Sequence, residues 1–204
     1  MSVSFWQKLE AARADSGSDI LLNIRPAVTR LPSPIRRYDD PFLPFGRAVI
    51  KATSAVLCGY VFDFAAYLSI GAAGAVALER TLNALPDNRL AILDGRFAGS
   101  AYADLTDEIA FVSDGLTLAS AEHVADYLRR ADRCPLVYGA PSLLADLPSS
   151  AGVFCPPQIS IKGVDGTTQT LRIAGDDVLY CASGDDFTDH IRAALVAMNR
   201  EGGI

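Results

Sequence analysis

Polar or charged residues stand where short apolar runs of this sequence end. Six of them could bind or transform a ligand: Arg25, Asp63, Asp94, Arg96, Ser113 and Gln158. The runs alternate with helix-like segments, so we expect parallel strands whose carboxyl ends meet at one face. Arginine side chains at such a face can each grip a carboxylate or phosphate through two parallel hydrogen bonds. The sequence therefore predicts an anion-binding site there.

Different roles are expected within this set. The candidate catalytic residues are Asp63, Asp94 and Arg96, and the candidate substrate-binding residues are Arg25, Ser113 and Gln158. In this interpretation the two acids orient the arginines. The alternative is that Arg25–Asp63 and Arg96–Asp94 are salt bridges that merely fill the opening, because an unpaired buried charge is costly. Both interpretations stay open from the sequence alone.

The elements that must position these residues follow an α/β pattern. Seven apolar runs predict strands over residues 20–24, 58–62, 90–93, 109–112, 136–138, 152–155 and 178–181. Amphipathic or alanine-rich segments between most of them predict helices. Short apolar strands separated by helices indicate a mostly parallel sheet, covered on both faces or closed into a barrel.

One segment departs from this alternation. The runs 159–162 and 170–173 flank a turn that contains Asp165-Gly166, a strong hairpin signal. We expect an antiparallel β-hairpin insertion near residues 159–173, where the pattern would otherwise place a helix. No internal repeat or interdomain linker interrupts the chain, so residues 1–204 are predicted to form a single domain.

Composition excludes several classes of function. The net charge of −6 argues against non-specific nucleic-acid binding, which needs a basic surface. No stretch is long and apolar enough for a membrane span, and no secretory signal opens the chain, so a cytoplasmic location is expected. The cysteines and histidines have no metal-ligand spacing, and no cofactor motif is present. Ser100–Tyr102 has no nearby base in the sequence, and His123 and His190 are predicted to be surface residues.

Three stretches, residues 5–32, 45–103 and 176–199, make up about two thirds of the chain. They resemble the orotidine 5′-phosphate decarboxylase family. The resemblance implies a (β/α) barrel of the decarboxylase type, here shortened or irregular, because the interval between Cys134 and Cys181 is too short for the family's remaining strand–helix units. It also implies lyase chemistry without a cofactor, and a dimer whose subunits share their sites.

The family's ligand-binding positions are changed in this chain. The first strand of the family usually ends Gly-Leu-Asp-Pro, whereas this sequence reads Asn23-Ile24-Arg25-Pro26, so an acid is replaced by Arg25. Near the last strand, the arginine that grips the phosphate in the family is replaced by Asp177 or its neighbour. The ligand of this chain is therefore expected to differ from that of the family.

The family's catalytic positions are changed as well. Its second strand usually carries a lysine where this chain has Val61, and its third strand carries Asp-x-Lys-x-x-Asp. Here that motif keeps Asp94, has Arg96 at the lysine position and Gly99 at the second acid. Because arginine is effectively always protonated, it cannot replace a lysine that must deliver a proton. The resemblance thus predicts a divergent member that does not decarboxylate orotidine 5′-phosphate.

Three functions fit these observations. The first is a repurposed lyase-type enzyme acting on a small anionic, nucleotide-like ligand. The second is a catalytically inactive relative that binds a ligand or a partner protein, and the third is a purely structural role. A homodimer is expected, or a heteromer with another protein, through the strand-end face and the helices after the second and third strands. Ala72–Ala77, Phe97 and Tyr102 are candidates for that contact.

Overall fold

The computed structural model describes residues 3–96, 99–105 and 111–202. Eight strands close into one barrel in chain order. They are β1 (Ile20–Ile24), β2 (Gly59–Asp63), β3 (Leu90–Asp94), β4 (Gly115–Leu118), β5 (Cys134–Tyr138), β6 (Gly152–Cys155), β7 (Gln158–Lys162) and β8 (Thr168–Ala174). The predicted α/β barrel is confirmed.

Helices cover the barrel between its parallel strands. They are α1 (Phe5–Ser16), α2 (Phe42–Thr53), α3 (Phe64–Leu68), α4 (Ala72–Leu82), α5 (Ser100–Leu105), α6 (Val124–Tyr127), α7 (Asp176–Leu179) and α8 (Phe187–Gly202). Short 3₁₀ turns complete the connections, which include the long proline-rich segment between β1 and α2. None of the helices in the described ranges is long and apolar enough to cross a membrane.

The barrel closes irregularly, as the sequence predicts. Strands β1 to β6 are parallel, whereas β7 runs antiparallel to both of its neighbours, and β8 pairs in parallel with β1. The expected hairpin is therefore present. It is part of the wall, however, and supplies the last two strands of the barrel rather than an insertion beside it.

Two of the predicted strands need correction. In the run 109–112, Ile109 and Ala110 lie outside the described residues, and the next strand begins only at Gly115. The run 178–181 is not a strand, because Val178 and Leu179 belong to α7 and the chain then turns. A four-residue apolar run has no usable periodicity, so it cannot distinguish a buried strand from a buried helical turn.

Side chains alternate along each strand and build two apolar layers. Inward residues such as Leu21, Ile92 and Leu136 fill the barrel interior, while outward residues such as Leu22 and Leu93 pack beneath the helices. The inward position at the carboxyl end of β2 and of β3 is an aspartate rather than a hydrophobic residue. This change from apolar to polar marks the open end of the barrel.

Helix α1 closes the opposite end. Its buried residues Phe5, Leu9 and Ala12 belong to the same apolar cluster as the barrel interior. Lys8 forms a salt bridge of 2.8 Å with Asp114, and the other oxygen of Asp114 accepts a 2.8 Å hydrogen bond from the Ala91 amide. Asp114 thus ties α1 to the amino end of β3.

Buried phenols make stability depend on alkaline pH. Tyr60 and Tyr67 are fully buried, and burial raises the pKa of both hydroxyls above that of an unfolded chain. As pH rises, the tyrosines of the unfolded chain therefore lose their protons before those of the folded chain. The free energy of unfolding is constant in this respect below about pH 10, and above it falls by about 1.4 kcal/mol per tyrosine and pH unit until the folded pKa values are reached. Urea unfolding at pH 8, 9.5 and 11 should show this decline, with a shallower slope for Tyr60→Phe. Constant stability up to pH 11 would contradict it.

Candidate functional site

A cavity of about 470 Å³ opens at the carboxyl end of the barrel. Its size is in the range of small-molecule sites. Four of the six candidate residues line it: Arg25, Asp63, Asp94 and Arg96. The structure therefore brings four of the predicted residues together at one face, as expected for residues at the carboxyl ends of parallel strands.

Asp94 is the most firmly held acid of this pocket. It is the inward residue at the end of β3, and its side chain is only 8% exposed. The Thr117 hydroxyl donates a 2.8 Å hydrogen bond to one carboxylate oxygen, and the Tyr138 hydroxyl donates one of 2.8 Å to the other. The Gly95 amide in turn donates to the Thr117 hydroxyl at 2.9 Å. The surrounding strands thus fix the orientation of the carboxylate.

Arg96 lies above this fixed acid. Its Nε is 3.7 Å from an Asp94 oxygen, and its Cζ is 4.4 Å from the centre of the Tyr138 ring. Burial, together with the hydrogen bond to Asp94, raises the pKa of Tyr138, so the phenol stays a donor at neutral pH. Arg96 is nevertheless 61% exposed, so its outer N–H groups can reach a ligand.

Arg25 and Asp63 form a second unit of similar design. One oxygen of Asp63 accepts a 2.8 Å hydrogen bond from the Ala66 amide and caps α3, and the other is 3.3 Å from Nε of Arg25. The Asp63 side chain is 14% exposed and that of Arg25 is 59% exposed. Here too the acid is fixed by the scaffold and the arginine faces the opening.

The backbone of Arg25 is secured by Tyr180. The Tyr180 hydroxyl donates to the Arg25 carbonyl at 2.7 Å and accepts a 2.9 Å hydrogen bond from the Ala27 amide. Arg30 stacks on the Tyr180 ring at 4.0 Å and pairs with Asp176. These contacts hold the first residues after β1 against α7, and so place Arg25 beside the pocket.

Both salt bridges of the alternative interpretation are present. Yet the N–O separations of 3.3 and 3.7 Å are longer than those of strong charge-assisted hydrogen bonds. Ion pairs with one exposed partner contribute little to stability. The pairs are therefore compatible with a pocket in which the acids orient the arginines and leave their outer N–H groups for a ligand.

Two other polar groups of the pocket have no partner among the described residues. Asn23 is the inward residue of β1 below Arg25, and its Oδ1 is buried without a hydrogen bond to any of them. Asp177, in the first turn of α7, is exposed on the rim, and its side chain makes no hydrogen bond or ion pair within the described ranges. A ligand could satisfy both groups.

Ser113 and Gln158 do not join the site. Ser113 precedes β4 and lies at the amino end of the barrel, beside Lys8 and Asp114, so its expected position at a carboxyl strand end is wrong. Gln158 begins β7 next to the carboxyl end of β6, but its neighbours Ile159 and Ile161 supply the inward positions. Because successive side chains alternate, Gln158 faces solvent and does not line the pocket.

The structure adds residues that sequence reasoning did not select. Thr117 and Tyr138 both donate hydrogen bonds to Asp94, and the Tyr138 ring also contacts the Arg96 guanidinium group. Tyr138 is in register with the inward Leu136, so the two-residue period of β5 could have identified it. Thr117 offered no such signal, because β4 was expected several residues earlier.

Outside the pocket, Ser100 does have a base nearby. The Ser100 hydroxyl is 3.1 Å from Nδ1 of His123, and Nε2 of His123 is 3.4 Å from a Glu122 oxygen. The expectation that Ser100 lacks a neighbouring base is therefore wrong. Glu122 and Ser100 are both exposed, so this chain of contacts lies at the surface. Within the described ranges, no group of three or more histidine, cysteine or acidic residues could hold a metal ion.

Known proteins resemble this chain in sequence. The orotidine 5′-phosphate decarboxylase of Herpetosiphon aurantiacus is 30% identical over 138 residues, which are 63% of this chain and 51% of that protein. The enzyme of the same name from Thermomicrobium roseum is 32% identical over 140 residues, 64% of this chain and 49% of that protein. No protein-family model matches. The chain thus spans about half the length of the curated relatives it matches.

Solved structures resemble it in fold. A Toxoplasma gondii protein assigned as an orotidine-monophosphate decarboxylase superposes with a TM-score of 0.58 at 26% identity, over 66% of this chain and 48% of that one. Leishmania donovani OMP decarboxylase superposes with a TM-score of 0.54 at 18% identity, over 71% and 57% respectively. This chain is thus similar in sequence, at about 30% identity, to two orotidine 5′-phosphate decarboxylases, and it is similar in fold to solved structures of that name.

Proposed function

We propose that this protein binds a small anionic, nucleotide-like ligand at the open end of its barrel and does not decarboxylate orotidine 5′-phosphate. The observation that carries the proposal is the pair of exposed arginines, Arg25 and Arg96, oriented over one cavity by two fixed acids. Planar guanidinium groups suit a carboxylate or phosphate, which they can bind through two parallel hydrogen bonds.

The lining of the pocket supports a change of chemistry relative to the similar enzymes. No lysine or histidine is among the described residues that line it. A lyase-type reaction on the bound anion would have Asp94, Arg96 and Asp63 as its catalytic residues, with Arg25 binding the substrate. Arg96 would stabilise developing negative charge, and proton transfer would fall to one of the carboxyl groups.

The alternative is an inactive relative that acts within a homomeric or heteromeric complex. Leu68 and Val76, on the helices after β2, are exposed hydrophobic side chains that suit a contact with a second subunit. Phe97, one of the two aromatic residues expected at such a contact, lies outside the described residues. A homodimer through this region is part of the proposal.

The test is the loss of both guanidinium groups. A variant carrying Arg25→Ala and Arg96→Ala should bind inorganic phosphate, ribose 5-phosphate or succinate well over tenfold more weakly, because each charge-assisted hydrogen bond contributes roughly 1.5–3 kcal/mol. Isothermal titration calorimetry measures this directly. Arg47→Ala, which removes an exposed arginine of α2, is the matched control and should leave affinity unchanged.

The competing structural role makes the opposite forecast. If the arginines only neutralise Asp63 and Asp94, none of these anions raises the melting temperature, and the single variants Arg25→Ala and Arg96→Ala each melt lower than the wild type. That combination would reject the ligand-binding proposal and favour a role in assembly.

A further inference from the structure

The unpaired acid of the pocket is separated from its two arginines. Following the wall of the barrel from β8 through β1 and β2 to β3, the pocket presents Asp177, Asn23, the Arg25–Asp63 pair and the Arg96–Asp94 pair. Arg25 leans toward β2, because its guanidinium contacts Asp63, the last residue of that strand. The two guanidinium groups thus lie toward β2 and β3, and the free acid lies toward β8.

Two acceptors on the β8 side have no hydrogen-bond donor among the described residues. The Asp177 carboxylate is exposed on the rim and unpaired among the described residues. The carboxamide of Asn23, on the adjacent strand, has a buried oxygen that accepts no hydrogen bond from any described residue. A half-turn of the χ2 torsion presents this oxygen to the cavity and places Nδ2 in the buried position instead.

A simple anion does not satisfy this arrangement. In total the described lining has two guanidinium groups and three carboxylates, Asp63, Asp94 and Asp177. A phosphate or carboxylate that contacts Arg25 and Arg96 leaves the exposed Asp177 with water as its partner, and a second anionic group near Asp177 would be repelled by it. An ammonium group has three donors and no acceptor, so it matches Asp177 and the Asn23 oxygen.

From this segregation we infer that the ligand is dipolar: a small molecule with a carboxylate or phosphate bound by Arg25 and Arg96, and an ammonium group bound by Asp177 and Asn23. The inference rests on the proposed anion site and adds the chemical class of its occupant. Asp177 is then a specificity-determining residue that selects amine-bearing anions over otherwise identical ones.

Matched pairs of ligands test this selection. L-Aspartate differs from succinate, and phosphoethanolamine from ethyl phosphate, by one ammonium group. Calorimetric titration of the full chain at neutral pH should show at least one amine-bearing member binding about tenfold or more tightly than its partner. Asp177→Asn should reduce that preference to about twofold or less while the amine-free member keeps its affinity. Asp189→Asn, the same change on an exposed position of α8, is the control for net charge and should keep the preference.

The two proposals fail in distinguishable ways. If no member of either pair binds, both the anion site and the dipolar ligand are rejected. If the members of each pair bind equally and the double arginine variant loses them all, the anion site stands and the dipolar ligand is rejected. A preference for the amine that survives Asp177→Asn would also overturn the inference, because another group would then select the ammonium.

Discussion

Orotidine 5′-phosphate incubated with the purified protein is expected to yield no product above the uncatalysed background. The resemblance places Arg96 where the decarboxylase family has a lysine. In that family, the lysine has to deliver a proton to a developing carbanion. The guanidinium group of Arg96 can stabilise negative charge but hardly releases a proton at neutral pH. Gly99 supplies no second carboxylate, so the rate loss should amount to several orders of magnitude.

The assay needs a positive control of known competence. The Herpetosiphon aurantiacus enzyme, measured under the same conditions, supplies one. Absorbance of the pyrimidine ring and release of carbon dioxide are independent readouts. Turnover by this protein that disappears in Arg96→Ala would show that β3 has been matched to the family motif in the wrong register.

Replacement of Gly74 by alanine should destabilise the fold by about 3 kcal/mol. Helix propensity alone predicts a gain of about 1 kcal/mol for this change within a helix. A Cβ atom on Gly74, however, would lie 1.7 Å from the carbonyl oxygen of Tyr67 and 2.7 Å from its carbonyl carbon. Both are backbone atoms, so α3 and α4 would have to separate. The steric cost then exceeds the gain in helix propensity, and the free energy of unfolding falls.

The neighbouring position provides the matched control. Ala73 is exposed on the same turn of α4, so Ala73→Gly should cost only the propensity difference of about 1 kcal/mol. Urea denaturation of both variants at neutral pH compares the two free energies of unfolding. Equal or greater stability of Gly74→Ala would mean that α3 and α4 approach each other less closely than the structure has them.

Most strands were predictable because parallel barrel strands are buried on both faces. Runs such as Leu90–Asp94 are almost wholly apolar, so the strand is recognised whichever of its side chains face the barrel interior. The hairpin was predictable from Asp165-Gly166, since Gly166 adopts a positive φ of 82° in the turn. That Val178 and Leu179 form a helix was not predictable, because it depends on which strands pair in the folded barrel. Strand β8 already completes the wall beside β1, so the next apolar residues fold as a helix.

The candidate site was predictable to the extent that strand ends were. Asp63 and Asp94 were found because each ends its strand, whereas Ser113 was misplaced together with β4. Tyr138 was overlooked because the predicted strand 136–138 includes it, whereas the predicted strands 58–62 and 90–93 stop one residue before Asp63 and Asp94. Which side chains donate hydrogen bonds to Asp94 depends on how β3, β4 and β5 are aligned with one another. A single sequence does not fix that alignment.

The antiparallel β7 has a consequence for how the chain folds. The hairpin of β7 and β8 pairs across a short turn, so it can form locally and early, while each parallel pairing must first close a longer loop. Strand β1, by contrast, needs β8 on its second edge, with Ile20 opposite Arg172. During synthesis, β1 therefore leaves the ribosome well before β8 and waits for it with one edge unpaired. Until the hairpin arrives, that edge is open to a strand of another molecule, and intermediates that lack β8 should be the ones that aggregate.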